Sequence, residues 1–424
     1  MSYSLPFSGH SSTARSTAFF LLGLLVAMTP LHTKILGAAW LGFLFWGIAS
    51  AAGARRDACN NDRASTIWLA ACIAALLLAG VCMLIWDESS DILNPQIRLL
   101  VPALSVYLIL RKGNLATQTY IYAMHAIALA GITAFVWTAY LSLNGQDVRS
   151  SLASNAIPWA VASSFYACLL LPAALTERQS MLRRRLWLGA VACVIIAVLL
   201  SKSLGAFLII PWCALLCIWF WHRHRVRSSS SLPMLVLQLA SAIALILACA
   251  WWAPGDALKL RKTTQELSEA RATQNYNTST GARLYMWDLA WQGFQQSPWI
   301  GVGSAERIRR LQHAGEDDAN PDLSRLAVVR SVGHVHNQYL NAALDGGLVG
   351  LASLLTLLAG LAMATRRLAQ TNRVAAWQMG GILFMHASAS MSNVNFLHNY
   401  YVMALSLAAV VPLLGARTPD SRQT

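Results

Sequence analysis

The chain has 424 residues, of which 56% are hydrophobic and only 12% charged, with a mean hydropathy of +0.48. So few charges and so many apolar runs exclude a soluble globule of this size and predict an all-α polytopic membrane protein. A net charge of +14 suggests nucleic acid, but the cations are scattered among short loops instead of forming one stripe, so no nucleic-acid partner is expected.

A span needs about 20 mostly apolar residues. In chain order, such runs centre near residues 26, 44, 77, 104, 130, 167, 193, 213, 242, 356, 386 and 408, so about 12 transmembrane helices are predicted. The first begins near Ala18 behind a polar leader with Arg15 and has no small-x-small cleavage site, which reads as an uncleaved span. Twelve spans put both termini on one side. If that side is the cytoplasm, the inside segments take 18 of the 32 Lys and Arg but four of the 18 Asp and Glu, leaving 14 of each sign outside. The whole excess of positive charge then lies inside, as the positive-inside rule requires. Seven of the eight cysteines lie in apolar runs and Cys59 in a basic loop, with no CxxC, so neither disulfides nor structural zinc are expected.

The outside loops are short, among them Asp87 to Gln96 and Asn144 to Pro158, except for one of roughly 80 residues from Ala253 to about Val335 between the ninth and tenth spans. No repeat or Gly/Pro linker marks a second domain, so residues 1–424 read as a single membrane domain with this loop, 253–335, as a partly helical external cap. Within the loop, Leu258, Leu260 and Leu267 among charges fit a helix lying on the membrane surface or a plain solvated one. Further on, Leu284, Trp287, Leu289, Trp291 and Phe294 give a helical stripe that Pro298 and Gly301 end; it packs on protein or bilayer.

Chemistry is expected where this loop meets the tenth span, in GHVHNQYLNAALDGGLVG (Gly333 to Gly350). His336 is a candidate base, because a neutral imidazole can accept a hydroxyl proton near pH 7. His334 ranks second. Asn337 either orients substrate or caps the following helix. Asp345, Gly346 and Gly347 read as a turn or break, with the span beginning near Leu348. Arg283, four residues before Trp287, offers a rigid fork of donors suited to phosphate, the plain alternative being a surface arginine. Lys202, in the tight connection SKSLG (Ser201 to Gly205), points to the same mouth or snorkels to headgroups. Arg307, Arg309 and Arg310 form a basic patch open to an anionic acceptor, or a solvated helix face. Asp87, Glu88 and Asp91 could be read as a divalent-metal site, but the spacing alone is a weak signal and outside acids are also what topology and solubility permit, so no metal is expected. His125 and His386, inside spans, read as buried hydrogen-bonding residues, although they keep a secondary transporter open.

These segments resemble the O-antigen ligase family, part of a wider group with lipid-linked O-antigen polymerases and protein O-oligosaccharyltransferases. GARLYMWDLAWQGFQQSPWIGVG is similar to the family's arginine helix followed by Pro-x-x-Gly-x-Gly, and HNQYLNAALDGGLVGL to its His-Asn helix start. SKSLG occupies the place of a Ser-Arg-Gly-like connection, with Lys202 where the family has Arg. The resemblance implies a GT-C-like glycosyltransferase architecture and a multi-pass protein of the bacterial inner membrane, with cytoplasmic termini and a periplasmic active site. It implies transfer of a glycan from undecaprenyl pyrophosphate to the lipid A-core oligosaccharide, without metal, cofactor or nucleotide sugar. Residue by residue, it makes His336 the catalytic base and gives Arg283 and Lys202 the pyrophosphate, with Asn337 and His334 beside the substrate. A polymerase or protein-glycosylating relative would share the donor and differ in acceptor.

Overall fold

The computed structural model describes residues 20–52, 63–111, 117–177, 180–225, 260–316 and 322–416, and all regular structure among them is helical. Helix α1 covers residues 20–27, followed by α2 (Thr33–Ala52), α3 (Arg63–Trp86), α4 (Asn94–Arg111), α5 (Thr117–Leu143), α6 (Ala156–Thr176), α7 (Met181–Leu200) and α8 (Ile209–Arg225). After the long loop come α13 (Gln338–Thr371), α14 (Arg373–Ser390) and α15 (Asn399–Gly415). Every predicted span centre that falls among the described residues lies in one of these helices; the centre near residue 242 lies outside them.

Seven of the described helical segments are long and apolar enough to cross a bilayer. The remaining ones fall short for identifiable reasons: α7 opens with Arg183, Arg184 and Arg185, α14 carries Gln378 and His386, and α15 has 17 residues. The protein is therefore a polytopic, all-helical membrane protein.

α6 is the central post, buried along nearly its whole length and touched by α5, α7, α14 and α15. Small residues set the close crossings, as expected where van der Waals packing and not water drives helix association. A Cβ on Gly360 of α13 would collide with Ala71 of α3, and one on Gly131 of α5 would meet Val194 of α7 at 2.8 Å. His125 and His386 are hydrogen-bonded as expected, the first to the Ile121 carbonyl at 2.8 Å and the second to the Tyr401 hydroxyl at 2.8 Å.

The described part of the long loop is folded. It contains α9 (Leu260–Thr273), α10 (Ser279–Gln296), α11 (Ser304–Gln312) and a short turn of helix, α12 (Ala327–Arg330). Its own apolar cluster joins Ala282, Met286 and Ala290 of α10 to Leu311, Leu326, Val329, Val335 and Leu344. α9, for which the sequence leaves open a membrane-surface helix or a solvated one, packs on the start of α10: Glu266 is buried and accepts from the Thr280 amide at 2.9 Å.

Candidate functional site

A backbone brace holds this cap on α13. The chain from Pro298 to Gly303 runs against a break in α13, where the Val302 and Gly303 amides donate to the Leu344 and Asp345 carbonyls at 2.8 and 3.0 Å. The Leu348 and Val349 amides return bonds to the Pro298 and Trp299 carbonyls at 2.7 and 3.3 Å. Freeing those groups requires Gly347 to leave helical geometry, at φ 59° and ψ −145°, and the approach is so close that a Cβ there would lie 2.5 Å from the Ile300 nitrogen. The glycines therefore mark a break between two helical stretches of α13, one before Gly347 and one resuming at Leu348, as the sequence predicts.

The same brace takes one member of the expected basic patch. Arg307 is 5% exposed and its Nε bonds Asp345 at 2.7 Å, while Asn341 supplies a second bond to that carboxylate at 2.8 Å. Arg309 and Arg310 both pair with Glu306 at 2.6 and 2.8 Å, and hold its carboxyl down to about 2. Of the three arginines only Arg307 is drawn into the brace, while Arg309 stays exposed on the helix face and shares Glu306 with Arg310. Glu88 is also committed, accepting from the Ser304 amide.

α10 brings the predicted arginine to the predicted histidine. Arg283 and Trp287 are four residues apart and share a helix face. The Trp287 indole donates to the Val335 carbonyl at 3.0 Å, which pins the His334–Val335–His336 segment against that face. Arg283 is then near enough for its charge to act on His336. Burial, the Arg283 charge and His398 together lower the imidazole to about 4, against a partial rise from a hydrogen bond with Asn393. His334 is lowered to about 3, first by burial, then by the charges of His336, His398 and Arg307. The two rings lie 4.3 Å apart, edge to face, and the His336 amide donates to His334 Nδ1 at 3.3 Å.

His336 is also conformationally unusual. Its φ of 51° lies in the left-handed region that non-glycine residues avoid, and its Nδ1 is buried without a partner. Lys202 shares that backbone conformation, at φ 53°, so two of the four non-glycine left-handed residues among those described are candidate site residues. Asn337 does cap α13: its side-chain oxygen accepts from the Tyr339 and Leu340 amides at 3.0 and 3.1 Å.

Lys202 reaches the group through its backbone. Its carbonyl accepts from Arg149 at 2.8 Å, and Arg149, from the loop between α5 and α6, lies close enough to Arg283 for the two charges to repel. Burial and that repulsion lower Arg283, against the pull of Glu266. SKSLG also packs on the connection between α14 and α15, since a Cβ on Gly205 would meet Ser392 at 2.7 Å. Next to Ser392 comes Asn393, 2% exposed, which bonds His336.

Arg283, His334 and His336 thus act on one another, with Asn337 next in the chain and Lys202 joined to them through its carbonyl and Arg149. Sequence reasoning overlooked Arg149, Asn393 and His398. The signals existed: Arg149 is the sole cation in its loop, and SNVNFLHN between two apolar runs is dense in amides.

Together the fold and these residues define a multi-pass membrane protein with a half-buried cation and imidazole group roofed by a helical cap. Residues 189–355, from α7 to α13, match the family model described as O-antigen ligase, which is consistent with the O-antigen ligase superfamily. The match contains Lys202, Arg283 and His336; Arg149 and Asn393 fall outside it. No curated protein matches the chain.

Proposed function

We propose that the protein is a glycosyltransferase that moves O-antigen polysaccharide from undecaprenyl pyrophosphate to the lipid A-core oligosaccharide, at the periplasmic face of the bacterial inner membrane with both termini in the cytoplasm. The observation that carries this reading is the fixed approach of Arg283 to His336 across the Trp287–Val335 bond, which sets a phosphate-binding group beside a base.

In this reading an acceptor hydroxyl attacks the first anomeric carbon of the glycan. The new C–O bond forms as the bond to pyrophosphate breaks, the hydroxyl proton passes to His336, and the electron pair leaves on undecaprenyl pyrophosphate. One displacement inverts the carbon. Arg283, Arg149 and Lys202 stabilise the charge growing on the departing pyrophosphate, which is work that needs preorganised cations and no metal. His334 and Asn337 flank the substrate.

The depressed imidazole fits this order of events. The site holds His336 neutral but weakly basic, first because the imidazole is buried and then because Arg283 repels a proton. A bound pyrophosphate cancels that positive charge and raises the affinity of the imidazole for a proton, so the base strengthens when the donor arrives.

A reconstituted assay with purified full-length protein, undecaprenyl-pyrophosphate-linked glycan and lipid A-core tests the reading. We expect transfer to fall by about 10²–10⁴-fold in His336→Ala with the fold retained. Wild-type rates in that variant would remove His336 as the base. Transfer only to a second donor molecule or to a pilin would reassign the acceptor.

A further inference from the structure

We infer that a second pocket, largely apolar but with amides and carboxylates in its lining, binds one uncharged, hydroxyl-rich sugar ring of the acceptor. This rests on the reading of the chain as a transferase with a sugar acceptor. The pocket has a volume of about 250 Å³, enough for one ring, and lies between the α3–α4 connection, the first turns of α13 and the segment from Val394 to Asn399. Along the chain its lining adjoins the residues around the candidate base: Gln338 follows His336 by two residues, and Val394 and Asn399 adjoin Asn393 and His398.

The pocket's chemistry is opposite to that of the Arg283 group. Its acids are Glu88, Asp91 and Asp345; Arg307 pairs with Asp345, and Arg98 bonds the lining residue Asn399. Two lining glutamines carry buried atoms without partners. Gln338 is 3% exposed; its oxygen is fixed by the Asn395 and Phe396 amides at 2.9 and 3.3 Å, which leaves its Nε2 as a donor with nothing to serve. Gln96 leaves Oε1 as an unserved acceptor. Buried polar groups in native proteins are nearly always paired. One spare donor and one spare acceptor, set among carboxylates, match a sugar's hydroxyls, each of which both donates and accepts. Donor pyrophosphate at the Arg283 group and the acceptor ring in this pocket would give the two substrates separate places.

The test is equilibrium binding of dephosphorylated core oligosaccharide to the full-length protein in lipid nanodiscs, with undecaprenyl pyrophosphate binding measured in parallel. Gln96→Leu removes an unpaired buried oxygen, so its thermal unfolding midpoint should not fall, which separates a binding role from a folding one. Ala342→Phe fills the pocket. We expect saturable oligosaccharide binding by the wild type, about three- to tenfold weaker in Gln96→Leu, the worth of one hydrogen bond, and lost in Ala342→Phe. Undecaprenyl pyrophosphate binding should not change in either. Absence of saturable binding by the wild type, unchanged binding in Gln96→Leu, or a loss of pyrophosphate binding instead would each overturn the assignment. Oligosaccharide binding without any transfer to lipid A-core would count against the proposed reaction and leave the pocket standing.

Discussion

The brace and the mouth lie a few residues apart along α13 and are built on opposite rules. In the brace, Val302, Gly303, Leu348 and Val349 all find backbone partners, and Arg307 and Asn341 satisfy Asp345. At the mouth, His336 Nδ1 and Gln338 Nε2 are buried without partners, His336 sits in a left-handed conformation, and Arg149 and Arg283 repel each other. A segment whose groups are all served holds shape. A segment that tolerates unserved groups and like charges stores interactions for a ligand, and the brace is what keeps it from relaxing.

Breaking the brace should therefore cost stability. Arg307→Ala leaves Asp345 as a buried, uncompensated charge, and we expect a loss of about 3–5 kcal/mol in unfolding measurements, with the cap detaching first in hydrogen exchange. Gly347→Ala adds a Cβ against the Trp299–Ile300 peptide and should cost about 1–3 kcal/mol by the same readout. Loosening the mouth should act on transfer first: Arg283→Ala is expected to bring transfer down by about 10–10²-fold with only a small change in the unfolding midpoint, since it removes the attraction to Glu266 together with the weaker repulsion from Arg149.

A smaller effect sharpens the contrast through pH. His336 and His334 are held to about 4 and about 3, below the ordinary unfolded value near 6.5. The unfolded chain therefore takes up protons first as pH falls, so these residues withdraw stability progressively from about pH 6.5 down to about 3. Denaturation midpoints at pH 7 and pH 5 should converge in a His334→Asn, His336→Asn double variant. In donor-limited kinetics the acid limb for the free enzyme should lie near pH 4, and Arg283→Ala should move it upward, because the charge that suppresses protonation is gone.

Much of this was legible in the residues. Apolar runs located the helices because each must satisfy its own backbone in lipid, which demands length and leaves little choice of form. Asp345-Gly346-Gly347 announced a break because only glycine adopts the geometry Gly347 takes, and a helical stretch resumes just past it. Arg283 and Trp287 at a spacing of four announced a shared face. What the sequence hid were partnerships between distant segments. Nothing near Arg307 shows that Asp345, 38 residues later, would neutralise it. Nothing near Lys202 shows that its carbonyl, and not its ammonium, makes the defined contact, so that Arg149 supplies the guanidinium beside Arg283. The amides around Asn393 carry no motif; only the packing of SKSLG on Ser392 gives them a place.

The central claim is that separate cations meet a single pyrophosphate beside His336. Its most direct test is the affinity of the full-length protein in nanodiscs for undecaprenyl pyrophosphate, measured for wild type, Arg149→Ala, Arg283→Ala and the double variant. The account predicts weaker binding in each single variant and a double variant whose loss differs from the sum of the two, because both arginines hold one ligand. Wild-type affinity in both single variants would contradict it.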